Sequence, residues 1–87
     1  METIKGTTPS GWQYELSEAV FDNMELVDAL AEMEENPGNI SIVCKLLLGD
    51  KRKAYYDHIR AEDGRVPLAV VSSDLEYIFS TSQPGKK

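Results

Sequence analysis

One histidine and one cysteine bound the chemistry that this 87-residue chain offers. A cysteine–histidine nucleophile needs a thiolate-favouring site and a base within reach. Cys44 lies inside Ile40-Ser41-Ile42-Val43-Cys44-Lys45-Leu46-Leu47-Leu48, the most apolar stretch of the chain. Such surroundings raise a thiol's pKa and hide it, so Cys44 reads as core packing. His58 follows Asp57 on a segment whose inner side is aromatic, and reads as a structural histidine. A structural zinc site takes four donors and a catalytic one three, which one His and one Cys do not supply, so no metal or other cofactor is expected. Fifteen carboxylates are present, but no pair of them is singled out by spacing. Glu62-Asp63-Gly64-Arg65-Val66 resembles the middle of a calcium loop only until its register is tested. With Gly64 at the glycine position, the first and third ligand positions are Ile59 and Ala61, and the bidentate glutamate's place falls to Val70. That corner reads instead as the cap that ends a helix. The expectation is a chain that is not an enzyme and that acts by binding.

The totals fit that expectation. The length suits one domain with a small core, which a partner would stabilise further. Apolar residues make up 41% of the chain, enough to fold. Net charge is −6, placed unevenly: residues 1–44 hold nine acids against Lys5 alone, and residues 45–87 hold six acids against eight bases. Binding to a phosphate backbone needs clustered positive charge, so nucleic acid is not expected as a partner. The single cysteine suits a reducing compartment. The first residues lack the pattern of a signal peptide, and no apolar run approaches the roughly 20 residues that span a bilayer. These features predict a cytoplasmic protein that does not engage a membrane.

The elements that would carry a binding surface follow from periodicity. Thr8-Pro9-Ser10-Gly11 matches a type I turn, and Trp12, Tyr14 and Leu16 alternate with polar residues, which predicts an N-terminal β-hairpin within residues 1–16. Its apolar face must lie on helices or on a partner. The first helix opens at Ser17 or at Asp22, where Asp22 and Glu25 form a capping-box-like start. Leu26, Val27, Leu30 and Met33 form one stripe of it, and Asn36-Pro37-Gly38-Asn39 stops it. Ile40–Leu48 is apolar nearly all round and reads as the central helix, with strand as the alternative because its first half is β-branched. Gly49 ends it, Asp50 caps the next helix, and Ala54, Tyr55, Tyr56 and Ile59 form the inner side of that helix up to Gly64. Pro67 opens a last helix with Leu68, Val71, Leu75, Ile78 and Phe79 inward. The predicted fold is mainly α: a small helical domain of about four helices with an N-terminal β-hairpin, spanning residues 1–82, and a flexible tail over residues 83–87.

Three features qualify as partner-binding. Glu25, Asp28, Glu32 and Glu35 form an acidic stripe that repels itself at helix-neighbour spacing, either a solvated face or a docking face for a basic surface. Lys51, Arg52 and Lys53, with Lys45 nearby, form the one basic cluster. They are either solvated or answer the acidic stripe, within one molecule or head-to-tail between copies. Tyr77 lies off the last helix's inward stripe and is the aromatic expected to be exposed as an interface anchor.

In order, the chain runs from the hairpin to Met24-Glu25-Leu26-Val27-Asp28-Ala29-Leu30-Ala31-Glu32. It continues through Leu46-Leu47-Leu48-Gly49-Asp50, Tyr56-Asp57-His58-Ile59-Arg60 and Glu62-Asp63-Gly64-Arg65-Val66-Pro67 to Leu75-Glu76-Tyr77-Ile78-Phe79. Over residues 13–79 this order resembles the small tail assembly chaperones of long-tailed (siphovirus-type) bacteriophages and prophages of Gram-positive hosts. The resemblance implies a viral protein that works in the bacterial cytoplasm, binds the tape measure protein and helps to recruit major tail protein subunits to the tail tube. It also implies absence from the mature virion, and it brings no catalytic residues. The alternatives are a small acidic regulator that mimics nucleic-acid charge, and a minor structural protein of the virion.

Overall fold

A computed structural model describes residues 2–81. The chain is mostly helical behind an N-terminal antiparallel hairpin, as the sequence pattern predicts. Strands β1 (Thr3–Thr7) and β2 (Gln13–Ser17) pair in the register Thr3↔Ser17 to Thr7↔Gln13. Period-2 alternation buries Tyr14 and Leu16 on one face of β2 and leaves Gln13 and Glu15 outside. Gly6 stands opposite Tyr14 for a steric reason. A Cβ at Gly6 would lie 2.5 Å from the Tyr14 hydroxyl and 2.6 Å from Cζ, so the bare glycine lets the ring lie across β1. The loop Thr8–Gly11 closes through Gly11 N–H to the Thr8 carbonyl, 2.8 Å, with Gly11 at φ +89°.

The first helical turn after the hairpin is a short 3₁₀ segment, Glu18–Val20, capped by the Ser17 hydroxyl on Ala19 N–H at 3.2 Å. Helix α1 (Met24–Glu32) is capped by Asn23 rather than Asp22: the Asn23 side chain accepts from Glu25 N–H at 3.0 Å. Asn23 has the extended backbone that an N-cap requires. Leu26 and Ala29 are buried on α1's inner side, with Leu30 and Met33 packed at its margin. The helix closes by a tighter bond from Met33 N–H to the Leu30 carbonyl. That leaves the Ala29 carbonyl without its helical donor, and buried Asn39 supplies one from Nδ2 at 2.7 Å.

Pro37 opens a 3₁₀ turn, Pro37–Asn39, that feeds directly into α2 (Ile40–Leu48). The strand alternative fails here. Adjacent Val43 and Cys44 are both buried, as are adjacent Leu47 and Leu48, while Lys45 is exposed; a period of two would part each adjacent pair and put Lys45 on the same face as Val43 and Leu47. Gly49 has φ +52°, so glycine is required, and its N–H bonds back to the Lys45 carbonyl. Asp50 does not cap the next helix. The chain winds through a 3₁₀ turn, Gly49–Lys51, straight into α3 (Arg52–Ile59), so no extended residue precedes the helix for a side chain to cap.

Gly64 is not a helix cap either. Helix α3 ends at Ile59 because Arg60 is extended, and Gly64, at φ +90°, belongs to a separate turn closed by Ala61 N–H to the Arg65 carbonyl at 2.8 Å. Helix α4 (Leu68–Thr81) begins one residue after Pro67, whose carbonyl accepts from Val71 N–H. Val71, Leu75 and Ile78 face inward; Leu68, expected on the same stripe, is 63% exposed. The expected flexible tail, residues 83–87, lies outside the described residues.

The core gathers Tyr14 and Leu16 from the hairpin with Phe21, Leu26, Val43, Leu47, Tyr55, Leu75 and Ile78. Phe21 meets Phe79 edge-on at 6.4 Å between ring centres. Substituting Gly6→Ala should push Tyr14 out of this core and destabilise the fold by about 1–3 kcal/mol, read as a lower midpoint in urea unfolding.

Candidate functional site

The helical spacing of α4 places an acid among its inward apolar residues. Asp74 lies one turn from both Val71 and Ile78 and is 1% exposed. Its carboxyl accepts from three donors on other elements. Ser10 N–H reaches Oδ1 at 3.2 Å, the Ser10 hydroxyl reaches Oδ2 at 2.6 Å, and the Tyr55 hydroxyl reaches Oδ2 at 2.8 Å. The chain of bonds runs further. Since Ser10 Oγ gives its one proton to Asp74, it accepts from Thr8 Oγ1 at 2.9 Å, and Thr8 Oγ1 accepts from Trp12 N–H at 3.2 Å. The Trp12 ring covers Tyr55 at 4.8 Å between centres.

Serine, aspartate and histidine therefore meet here, but in an order that does not serve nucleophilic catalysis. A serine nucleophile needs its hydroxyl proton directed at a histidine nitrogen. Ser10 directs it at Asp74, and His58 Nε2 instead donates to the Ser10 carbonyl at 3.1 Å. The bonds of Ser10, Tyr55, Asp74 and His58 join the hairpin loop, α3 and α4, and those of Thr8 and Trp12 brace the loop itself. Burial, the Asp74 hydrogen bond and the Asp74 charge all push the Tyr55 hydroxyl well above the ordinary tyrosine value. Burial likewise pushes up the Cys44 thiol, with the Tyr56 hydroxyl and Arg52 drawing it partly back. A raised thiol is a poor nucleophile at neutral pH, consistent with Cys44 as packing.

The surface holds the residues read as partner-binding. Glu25, Asp28 and Glu32 lie exposed along α1. Glu35 is exposed too, but in the turn beyond the helix end, so the stripe is one residue shorter than its spacing suggested. Lys51 and Lys53 are exposed where the 3₁₀ turn passes into α3, while Arg52 is half-buried over the Tyr56 ring, 5.9 Å from its centre. Tyr77 is 38% exposed on α4. Among the described residues the ion pairs are Lys5–Glu15, Arg60–Asp57 and Arg65–Asp63, so none joins the acidic stripe to the basic cluster within one molecule. No helix among the described residues is long and apolar enough to cross a membrane.

Sequence reasoning passed over a surface feature as well. A groove of about 210 Å³ opens between α2, α3 and the start of α4, lined by Ile40, Cys44, Tyr56, Val66, Leu68 and Val71. The exposure of Leu68 at the first turn of α4 was its one sequence-level trace, hidden because Leu68 fits the inward stripe by spacing alone.

Comparison with protein-family models, with curated proteins and with solved structures returned no match.

Asp74→Ala should cost about 3 kcal/mol in urea unfolding, because it orphans donors on Ser10 and Tyr55, whereas Tyr55→Phe should cost about 1 kcal/mol. The folded state holds the Tyr55, Tyr56 and Cys44 protons more tightly than the unfolded chain does. The unfolded chain therefore releases them first as pH rises, and the stability they contribute is complete below their ordinary values of 9.0 and 10.0 and is lost above them. Thermal melts between neutral pH and pH ~11 should show that loss, with a shallower slope in Tyr55→Phe.

Proposed function

We propose that this chain is a non-catalytic tail assembly chaperone of a long-tailed bacteriophage or prophage of a Gram-positive host. In this reading it works in the host cytoplasm, binds the tape measure protein, helps recruit the major tail protein to the growing tube, and is left out of the mature virion. The observation that carries the reading is a contrast between inside and outside. The buried polar network is consumed by bonds within the fold, while large apolar side chains stand in solvent: Met24 at 68%, Leu68 at 63% and Ile42 at 47% exposure. Of these, Leu68 adjoins the apolar groove between α2, α3 and α4, a contiguous surface that a partner would cover. The resemblance carried by the order of segments along residues 13–79 implies the tape measure protein as that partner.

A second reading has one observation in its favour. Glu25, Asp28 and Glu32 are exposed on α1 with no cation paired to them among the described residues, as an acidic mimic of nucleic-acid charge would require. Co-expression with the tape measure protein separates the two. Chaperoning predicts co-purification and a soluble partner, both surviving reversal of the acids at 25, 28 and 32 to lysine. Failure of the pair to co-purify would sink the chaperone reading. Mass spectrometry of purified virions should find no copy of the chain, and detecting it there would favour a minor structural role.

A further inference from the structure

We infer that the groove between α2, α3 and the start of α4 is the docking site for a partner helix that carries an apolar anchor flanked by carboxylates. The inference rests on the partner-binding reading above and adds the place and the chemistry of contact. Size comes first. At about 210 Å³ the groove exceeds the roughly 150 Å³ apolar cavity that admits benzene, and falls short of the roughly 300 Å³ at which small-ligand sites begin. It has room for one leucine- or phenylalanine-sized side chain. Its walls are apolar apart from Ser41, the Cys44 thiol and the Tyr56 hydroxyl. Leu68, mostly exposed at the mouth, extends that apolar surface outward.

Charge then selects the occupant. On α2, Lys45 lies one turn beyond Ser41; on α3, Arg52 and Lys53 lie one turn before Tyr56. No exposed acid occupies a one-turn neighbour of a groove residue on α2, α3 or α4; the single acid so placed, Asp74, is buried and bonded to Ser10 and Tyr55. The acids nearest along the chain, Asp57 and Asp63, are engaged with Arg60 and Arg65. Lys45, Arg52 and Lys53 have no ion-pair partner among the described residues, and Arg52 is already held over the Tyr56 ring that forms one wall. In a chain of net charge −6 these cations of α2 and α3 lie one helical turn from residues that line the apolar opening. An amphipathic helix seats its apolar side chains in such a groove, and carboxylates beside the anchor answer the rim.

The test uses two labelled synthetic amphipathic helices with the same leucine stripe, one flanked by glutamates and its twin by lysines, titrated against the full chain. The glutamate peptide should bind at least about tenfold more tightly than the twin, and less tightly as salt rises. Leu68→Glu, and separately Lys45→Glu with Lys53→Glu, should each weaken binding about tenfold or more. These are surface changes whose fold is checked by circular dichroism, and Met24→Ala, away from the groove, should leave binding unchanged. Equal affinity for the two peptides, no binding of the glutamate peptide, or indifference to Leu68→Glu overturns the inference. So does self-association of the chain that both Leu68→Glu and Met24→Ala abolish, which would make a second copy the occupant. Peptide capture by a chain that fails to co-purify with the tape measure protein upholds the groove and ends the chaperone reading. Co-purification undisturbed by Leu68→Glu does the reverse.

Discussion

Two strands alone do not hold their shape in water, and apolar contact by itself is not directional. The hairpin of this chain is aimed by the Asp74 carboxyl. A buried carboxyl is costly unless its oxygens are matched, so it tolerates few arrangements of its neighbours. Here it takes donors from the hairpin loop through Ser10 and from α3 through Tyr55, while its own backbone belongs to α4. Three elements are thereby set against one another at one point. Trp12 packs against Tyr55 with its ring tilted, and His58 donates to the Ser10 carbonyl from the outside. The Tyr14 ring reaching over Gly6 towards Thr81 adds a second tie between hairpin and α4, through a bond of 3.4 Å.

Much of the frame was legible because local chemistry and global packing agree. Trp12, Tyr14 and Leu16 alternate in the sequence and stack on the helices; Leu26, Val71, Leu75 and Ile78 recur at helical spacing and are buried. The misreadings cluster where local signals compete. Asp22 and Asn23 are both good caps, and backbone conformation chose Asn23. Asp50 looked like a cap because Gly49 looked like a full stop, but Gly49 only bends a helical path that continues. Gly64 looked like a cap because Arg60, a strong helix former, gave no warning that it would be extended.

The candidate site was less legible for a physical reason. Asp74 among Val71, Leu75 and Ile78 is an acid on an apolar stripe, which periodicity treats as an interruption and passes over. Its meaning depends on Ser10, which lies 64 residues away in the chain. The groove was hidden in the opposite way, since Leu68 fits the inward stripe of α4 yet belongs to the helix's first turn, past the edge of the core. Polarity then divides the surface: acids run along α1, and unpaired cations gather where α2 and α3 meet the groove. The acidic stripe of α1 and the unpaired cations of α2 and α3 thus sit on different elements, with no ion pair between them among the described residues.

That same separation of 64 residues between Ser10 and Asp74 governs how the protein is made. A ribosome adds about 5–20 residues per second, so Ser10 waits roughly 3–13 s after its own synthesis before its anchor exists. For that interval Tyr14 and Leu16 lack α4 to pack against, and both edges of the hairpin are open to pairing with other chains. Birth order thus makes the first-formed element the last to be secured. The nascent chain passes through a stage in which it is itself a client for protection.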